Sequence, residues 1–115
     1  MAFQVKRVYE AAVPEDGYRV LVDRIWPRGL TKEKAKIDLW LKDIAPSNAT
    51  RQWFKHDPHK WTEFQKRYLR ELKQHTDCVE LLQQRAKAGK VTLLYAAKEE
   101  KYNNAVALKS YLDSQ

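Results

Sequence analysis

Residues 18–29, Tyr18-Arg19-Val20-Leu21-Val22-Asp23-Arg24-Ile25-Trp26-Pro27-Arg28-Gly29, constrain the fold more than any other stretch, because an apolar run passes directly into charges, a proline and a glycine. Val20, Leu21, Val22 and Ile25 have the continuous apolar character of a strand covered on both faces, as in a parallel sheet. Asp23, Arg24 and Arg28 cannot follow that strand into an apolar interior without partners. The stretch therefore predicts a buried strand that delivers polar groups to one edge of a sheet.

Hydrophobic periodicity supplies the rest of the architecture. Residues 3–9 alternate roughly and predict a first strand, separated from the second by a turn region at 14–17. Thr31 can cap a short polar helix, and Ile37, Leu39 and Leu41 alternate with polar neighbours as a third strand, stopped at Ala45-Pro46-Ser47. Ser47 can cap the next helix. Asp57-Pro58 is a helix start, and Trp61, Phe64, Tyr68 and Leu72 then form one apolar stripe. Asp77 with Glu80 resembles a capping box for a helix that turns Cys78, Leu81 and Leu82 inward and stops at Gly89. Residues 91–96 predict a final buried strand, followed by a helix with Ala105, Leu108 and Leu112 inward and Asn103 or Asn104 as its cap.

Strands interleaved with helices define an α/β fold, a single domain over residues 1–115 with a small, mainly parallel sheet flanked by helices. An apolar fraction of 43% is that of a globular chain. No apolar run approaches the roughly 20 residues that cross a bilayer, and the start lacks the apolar core of a signal peptide, so no membrane partner and a cytoplasmic location are expected. The single cysteine, Cys78, excludes an internal disulfide and leaves no thiolate cluster for a metal. On an amphipathic helix it reads as a small buried hydrophobe.

Ligands of parallel α/β sheets bind outside the carboxyl ends of the strands. Three predicted loops, at 23–29, 45–47 and 97–104, would meet there. Arg24, Arg28 and Lys98 can supply positive charge, Asp23 a carboxylate, Trp26 a rigid aromatic ledge beside the guanidiniums, and Ser47, Asn103 and Asn104 neutral hydrogen bonds. The last loop also opens a helix whose free N–H groups favour an anion. Asp23 with Arg24 has a second reading, a buried ion pair that locks the strand end. Arg28-Gly29 can likewise be only a turn in which Gly29 takes positive φ.

Twenty-two Lys and Arg against 15 Asp and Glu give a net charge of +7, which favours acidic partners. A small phosphate-bearing ligand is the first reading. A nucleic-acid-associated or regulatory module is the alternative, its phosphate contacts coming from Lys60, Lys66, Arg67, Arg70 and Lys73, although Glu63 and Glu71 interrupt that face. A third reading is a partner protein that docks another chain through exposed aromatics. No Walker loop, dinucleotide fingerprint, nucleophile elbow, zinc motif or RNA-binding aromatic signature is present, so no cofactor and no metal are expected. Among proton acceptors, Asp23 and His56 are the candidates, although His56 fits equally well as the residue before the Asp57 cap.

Residues 18–30, then Trp40-Leu41-Lys42-Asp43-Ile44-Ala45-Pro46-Ser47, then Trp53-Phe54-Lys55-His56-Asp57-Pro58 resemble the YeaO-like family, a branch of a larger group of domains of unknown function. The resemblance covers nearly the whole chain. It implies a bacterial cytosolic protein with no established biochemical activity. In the larger group the last strand ends near a Cys and the next helix begins with Cys-His-Arg. The corresponding positions here are Tyr95 and Asn103-Asn104-Ala105, so the resemblance implies no thiol-dependent or metal-dependent reaction.

Overall fold

The computed structural model describes residues 2–115. Four strands, β1 (Phe3–Arg7), β2 (Tyr18–Leu21), β3 (Leu39–Trp40) and β4 (Val91–Tyr95), form one parallel sheet in the order β1-β4-β2-β3. Five helices complete it: α1 (Lys32–Ala35), α2 (Asn48–Phe54), α3 (Trp61–Leu72), α4 (Thr76–Ala88) and α5 (Asn104–Asp113). The third strand is shorter than the alternation of Ile37, Leu39 and Leu41 predicts: only Leu39 and Trp40 pair at the sheet edge, Ile37 packs before it, and the chain coils into a 3-10 turn at Lys42–Ile44.

Burial explains the apolar run of β2. Val20 and Val22 point into the main core with Phe3, Leu93, Tyr68, Leu82 and Leu108, whereas Leu21 joins a smaller cluster with Val8, Ala35, Ile37 and Leu94 on the opposite face. Each such side chain contributes about 1.5–3 kcal/mol by leaving water. Ile25 departs from the expectation. The chain turns away after Val22, whose N–H donates to the Leu94 carbonyl, and leaves Ile25 60% exposed.

The helices follow their stripes. Phe64, Tyr68 and Leu72 of α3 and Ala105, Leu108 and Leu112 of α5 are buried, and the Tyr68 hydroxyl donates to the Ile44 carbonyl at 2.6 Å. Thr31 and Ser47 cap α1 and α2 through their hydroxyls, and Asp57 accepts from the His59 N–H to open a short 3-10 turn that runs into α3. Asp77 and Glu80 form no capping box: α4 begins at Thr76 after His75, with no side-chain cap, and Asp77 lies in its first turn. Leu82 is buried and Cys78 half-buried against the core, but Leu81 is exposed.

The smaller face carries a polar network toward the amino ends of the strands. Buried Asp16 takes ion pairs from Lys6 and Arg19, a hydrogen bond from Gln4 and another from the Val13 N–H. Arg19 spends its remaining donors on the Ala35 and Lys36 carbonyls, and Thr92 donates to the Asp16 carbonyl. Burial raises the Asp16 carboxyl, but the Val13 N–H and the two cations outweigh it and hold the group below the usual aspartate value. Gly17, at φ 66°, turns the chain into β2 so close to Lys90 that a Cβ would strike that residue's carbonyl.

Candidate functional site

The connections leaving two neighbouring strands diverge. After β2 the chain passes through α1 and packs Ala35 and Ile37 on the smaller face, while after β4 it enters α5 and packs on the main core. Adjacent strands whose connections part to opposite faces open a crevice at their carboxyl ends. A cavity of about 390 Å³ lies there.

Asp23 sits in its wall. One carboxylate oxygen accepts the Ala96 N–H at 2.9 Å and the other accepts Asn104 Nδ2 at 3.0 Å, so Asp23 bridges the end of β4 and the start of α5. Asn104 Nδ2 also donates to the Val22 carbonyl at 3.0 Å. Both partners are acceptors, which fixes the amide orientation and leaves Oδ1 without a protein partner among the described residues. Burial pushes the Asp23 carboxyl above the ordinary value; the Asn104 and Ala96 bonds and the neighbouring His56 and Arg51 oppose that rise without cancelling it.

Arg24 makes no ion pair with Asp23. Its guanidinium lies across the 45–47 loop, donating to the Pro46 and Ala45 carbonyls at 3.3 Å each, so the expected Asp23–Arg24 lock is replaced by two separate anchors. Trp26 donates from its indole to the Leu30 carbonyl and meets Trp40 edge-on at 5.2 Å, and Trp40 in turn donates to the Asp23 carbonyl. Gly29, at φ 82°, closes the turn. Tyr9 holds the Arg28 carbonyl at 2.7 Å, leaving the exposed Arg28 guanidinium with no hydrogen bond to the described residues.

Of the residues expected at the site, Asp23, Arg24, Trp26, Arg28 and Asn104 line this cavity. Ser47, Lys98 and Asn103 do not. Ser47 gives its N–H and hydroxyl to Glu71, which also receives the Thr50 hydroxyl. Asn103 is buried as the cap of α5, accepting the Val106 N–H and donating to the Glu99 carbonyl, and Lys98 is exposed. At the start of α5 the Asn103 side chain takes the Val106 N–H and the Asn103 carbonyl that of Ala107, while just before the helix Glu99 takes those of Lys101 and Tyr102. The two Glu99 bonds hold its carboxyl below the usual glutamate range.

Two further polar residues line the cavity: His56, which the sequence offered only as a candidate proton acceptor, and Arg51, which it did not single out. Arg51 is exposed on α2, with one 3.3 Å bond to Asn48. His56 follows Lys55 in a pair of consecutive left-handed residues, φ 49° and 56°, a conformation that costs a non-glycine residue about 1–2 kcal/mol. That turn carries the ring to the Tyr102 carbonyl, 2.9 Å from Nδ1. A carbonyl only accepts, so Nδ1 bears the proton and Nε2 is free of that contact. Two adjacent left-handed residues without a glycine are the only local clue, and the sequence does not announce them.

The apolar lining comes from Ile25, Pro27, Phe54 and Phe64, the last two stacked at 4.0 Å between centroids. Among the described residues, no group of His, Cys, Asp and Glu is arranged to hold a metal, and no helix is long and apolar enough to cross a membrane. The basic face of α3 is partly engaged: Arg67 lies 3.9 Å over the Trp53 ring and pairs with Glu63, and Lys60 donates to the Trp53 carbonyl.

A small parallel α/β fold with a polar crevice where its connections diverge defines the class of protein. The chain belongs to the family described as the inactive DUF488-N3 subclade, whose model matches residues 2–115. It is 43% identical over 114 residues to the uncharacterized protein YeaO of Escherichia coli (strain K12), covering 99% of each chain. Over 78 residues it is 47% identical to the uncharacterized proteins Mb3100c of Mycobacterium bovis and Rv3073c of Mycobacterium tuberculosis, covering 68% of this chain and 66% of theirs. No solved structure matches the chain significantly.

Proposed function

We propose that the crevice binds a small anionic, phosphate-bearing ligand. One observation carries the reading: Arg24, Arg28 and Arg51 line a single cavity, and none belongs to the ion pairs of the described residues, which are Lys6–Asp16, Arg19–Asp16, Arg67–Glu63 and Lys109–Asp113. Guanidiniums left unpaired around a concave, partly apolar site are the arrangement that recognises phosphate or carboxylate through paired N–H bonds. Arg24 is pre-oriented by the Ala45 and Pro46 carbonyls, which lowers the ordering cost of binding. The resemblance to the larger group implies cysteines, a histidine and an arginine at the positions of Tyr95 and Asn103-Asn104-Ala105, and the residues here instead support binding over thiol chemistry.

The test is a thermal-shift titration with inorganic phosphate and phosphomonoesters on the wild-type chain and on Arg28→Ala. A ligand at 100 times its Kd adds about 2.7 kcal/mol of stability. Saturable stabilisation that Arg28→Ala weakens, with the unliganded variant still folded, is the expected result; equal affinity in the variant removes Arg28 from the site. Absence of any anion effect, with steeply salt-dependent retention on nucleic acid, would move the function to the basic face of α3.

A further inference from the structure

Resting on the anion-binding reading, the geometry points to an organic anion that enters the crevice with a hydrogen-bond donor first and its charge toward the mouth. The cavity is chemically polarised. Its exposed cations, Arg28 and Arg51, are at the solvent side, whereas Asp23 and Asn104, half-buried at the strand ends, present acceptors; Arg24, also half-buried, is turned onto the Ala45 and Pro46 carbonyls. Asn104 has spent its amide hydrogens on Val22 and Asp23 and presents only its oxygen. Each Asp23 oxygen accepts one protein bond, so an ionised carboxylate retains further lone pairs for a ligand.

Inorganic phosphate satisfies only half of such a site. A bare anion seated against Asp23 and Asn104 meets like charge and a carbonyl dipole, and one held at the arginines leaves the acceptors to water. Trp26, Phe54 and Phe64 also line the cavity and give it apolar surface suited to a flat ring. The matching molecule is therefore an aromatic or heterocyclic phosphomonoester bearing an amine donor. The same acceptors discriminate against ligands whose inner end is itself only an acceptor, because a buried acceptor facing another acceptor loses its water without gaining a bond.

Matched ligand pairs on the wild-type chain test this without relying on a variant that folds. Calorimetric titration would compare 4-aminophenyl phosphate with phenyl phosphate, and adenosine 5′-monophosphate with purine riboside 5′-monophosphate, alongside inorganic phosphate. The expected result is that the amine-bearing member of at least one pair binds about tenfold or more tightly than its partner, the difference worth about one charge-assisted hydrogen bond. Asp23→Asn, which replaces one acceptor oxygen by a donor, should narrow that ratio. Equal affinities within both pairs, with phosphate still bound, overturn the donor-first reading and leave the anion site standing. If neither phosphate nor any ester binds, the anion site itself falls, and this inference with it.

Discussion

Two aspartates seven positions apart, at opposite ends of the same strand, are treated in opposite ways. Asp16, before β2, is closed in by two cations, a backbone N–H and the Gln4 amide, and its carboxyl is held low. Asp23, beyond β2, receives one backbone N–H and one amide, has no cation paired to it, and is raised by burial. At the first end Asp16, Lys6 and Arg19 each have a charged partner inside the fold. At the second, three guanidiniums and a carboxylate share a cavity without pairing. Charge neutralised internally serves the fold, and charge left open within a pocket is available for binding.

The largest expected effect attacks the closed end. Asp16→Ala leaves Arg19 and Lys6 without their counter-ion and should cost about 3–5 kcal/mol in urea unfolding. Gly17→Ala beside it meets both positive φ and the Lys90 carbonyl, and a loss of about 3 kcal/mol in the same assay is expected.

A pH series sharpens the contrast through its sign. Asp16, held below the ordinary 3.8, contributes stability above that value and loses it as pH falls through its folded value, so wild type and Asp16→Asn should converge in acid. Asp23, raised above 3.8, contributes stability below that value and loses it as pH rises through its folded value, so Asp23→Asn should gain on wild type toward neutral pH. Parallel curves for the two variants would erase the distinction between the ends. The smallest effect on stability belongs to the open end: Arg28→Ala should shift unfolding by less than about 0.5 kcal/mol, because its side chain is exposed and holds nothing. Its consequence should appear only in anion affinity.

The elements legible in the sequence are those specified locally. The α3 stripe, the Thr31, Ser47 and Asp57 caps and the β2 core positions each depend on neighbours within a few residues, and each formed as expected. Ile25 misled because its apolar character matched the strand while the chain turned after Val22. The site was legible in outline, since strand ends in a parallel sheet gather by topology. Its membership was not. Ser47 is withdrawn by Glu71, 24 positions away, and His56 reaches its place through Tyr102, 46 positions away, neither of which any local pattern reveals. Arg51 offered no signal at all beyond being one of many cations.

The divergence of chain after β2 and β4 has a mechanical side. Asp23 and Asn104 are 81 positions apart, yet their single hydrogen bond spans the seam where the two halves of the sheet's connections separate. A molecule gripping Arg24 on one bank and Asn104 on the other would act as a clasp across that seam. Its occupancy would register in slowed amide exchange of the central strands, far beyond the few side chains it touches.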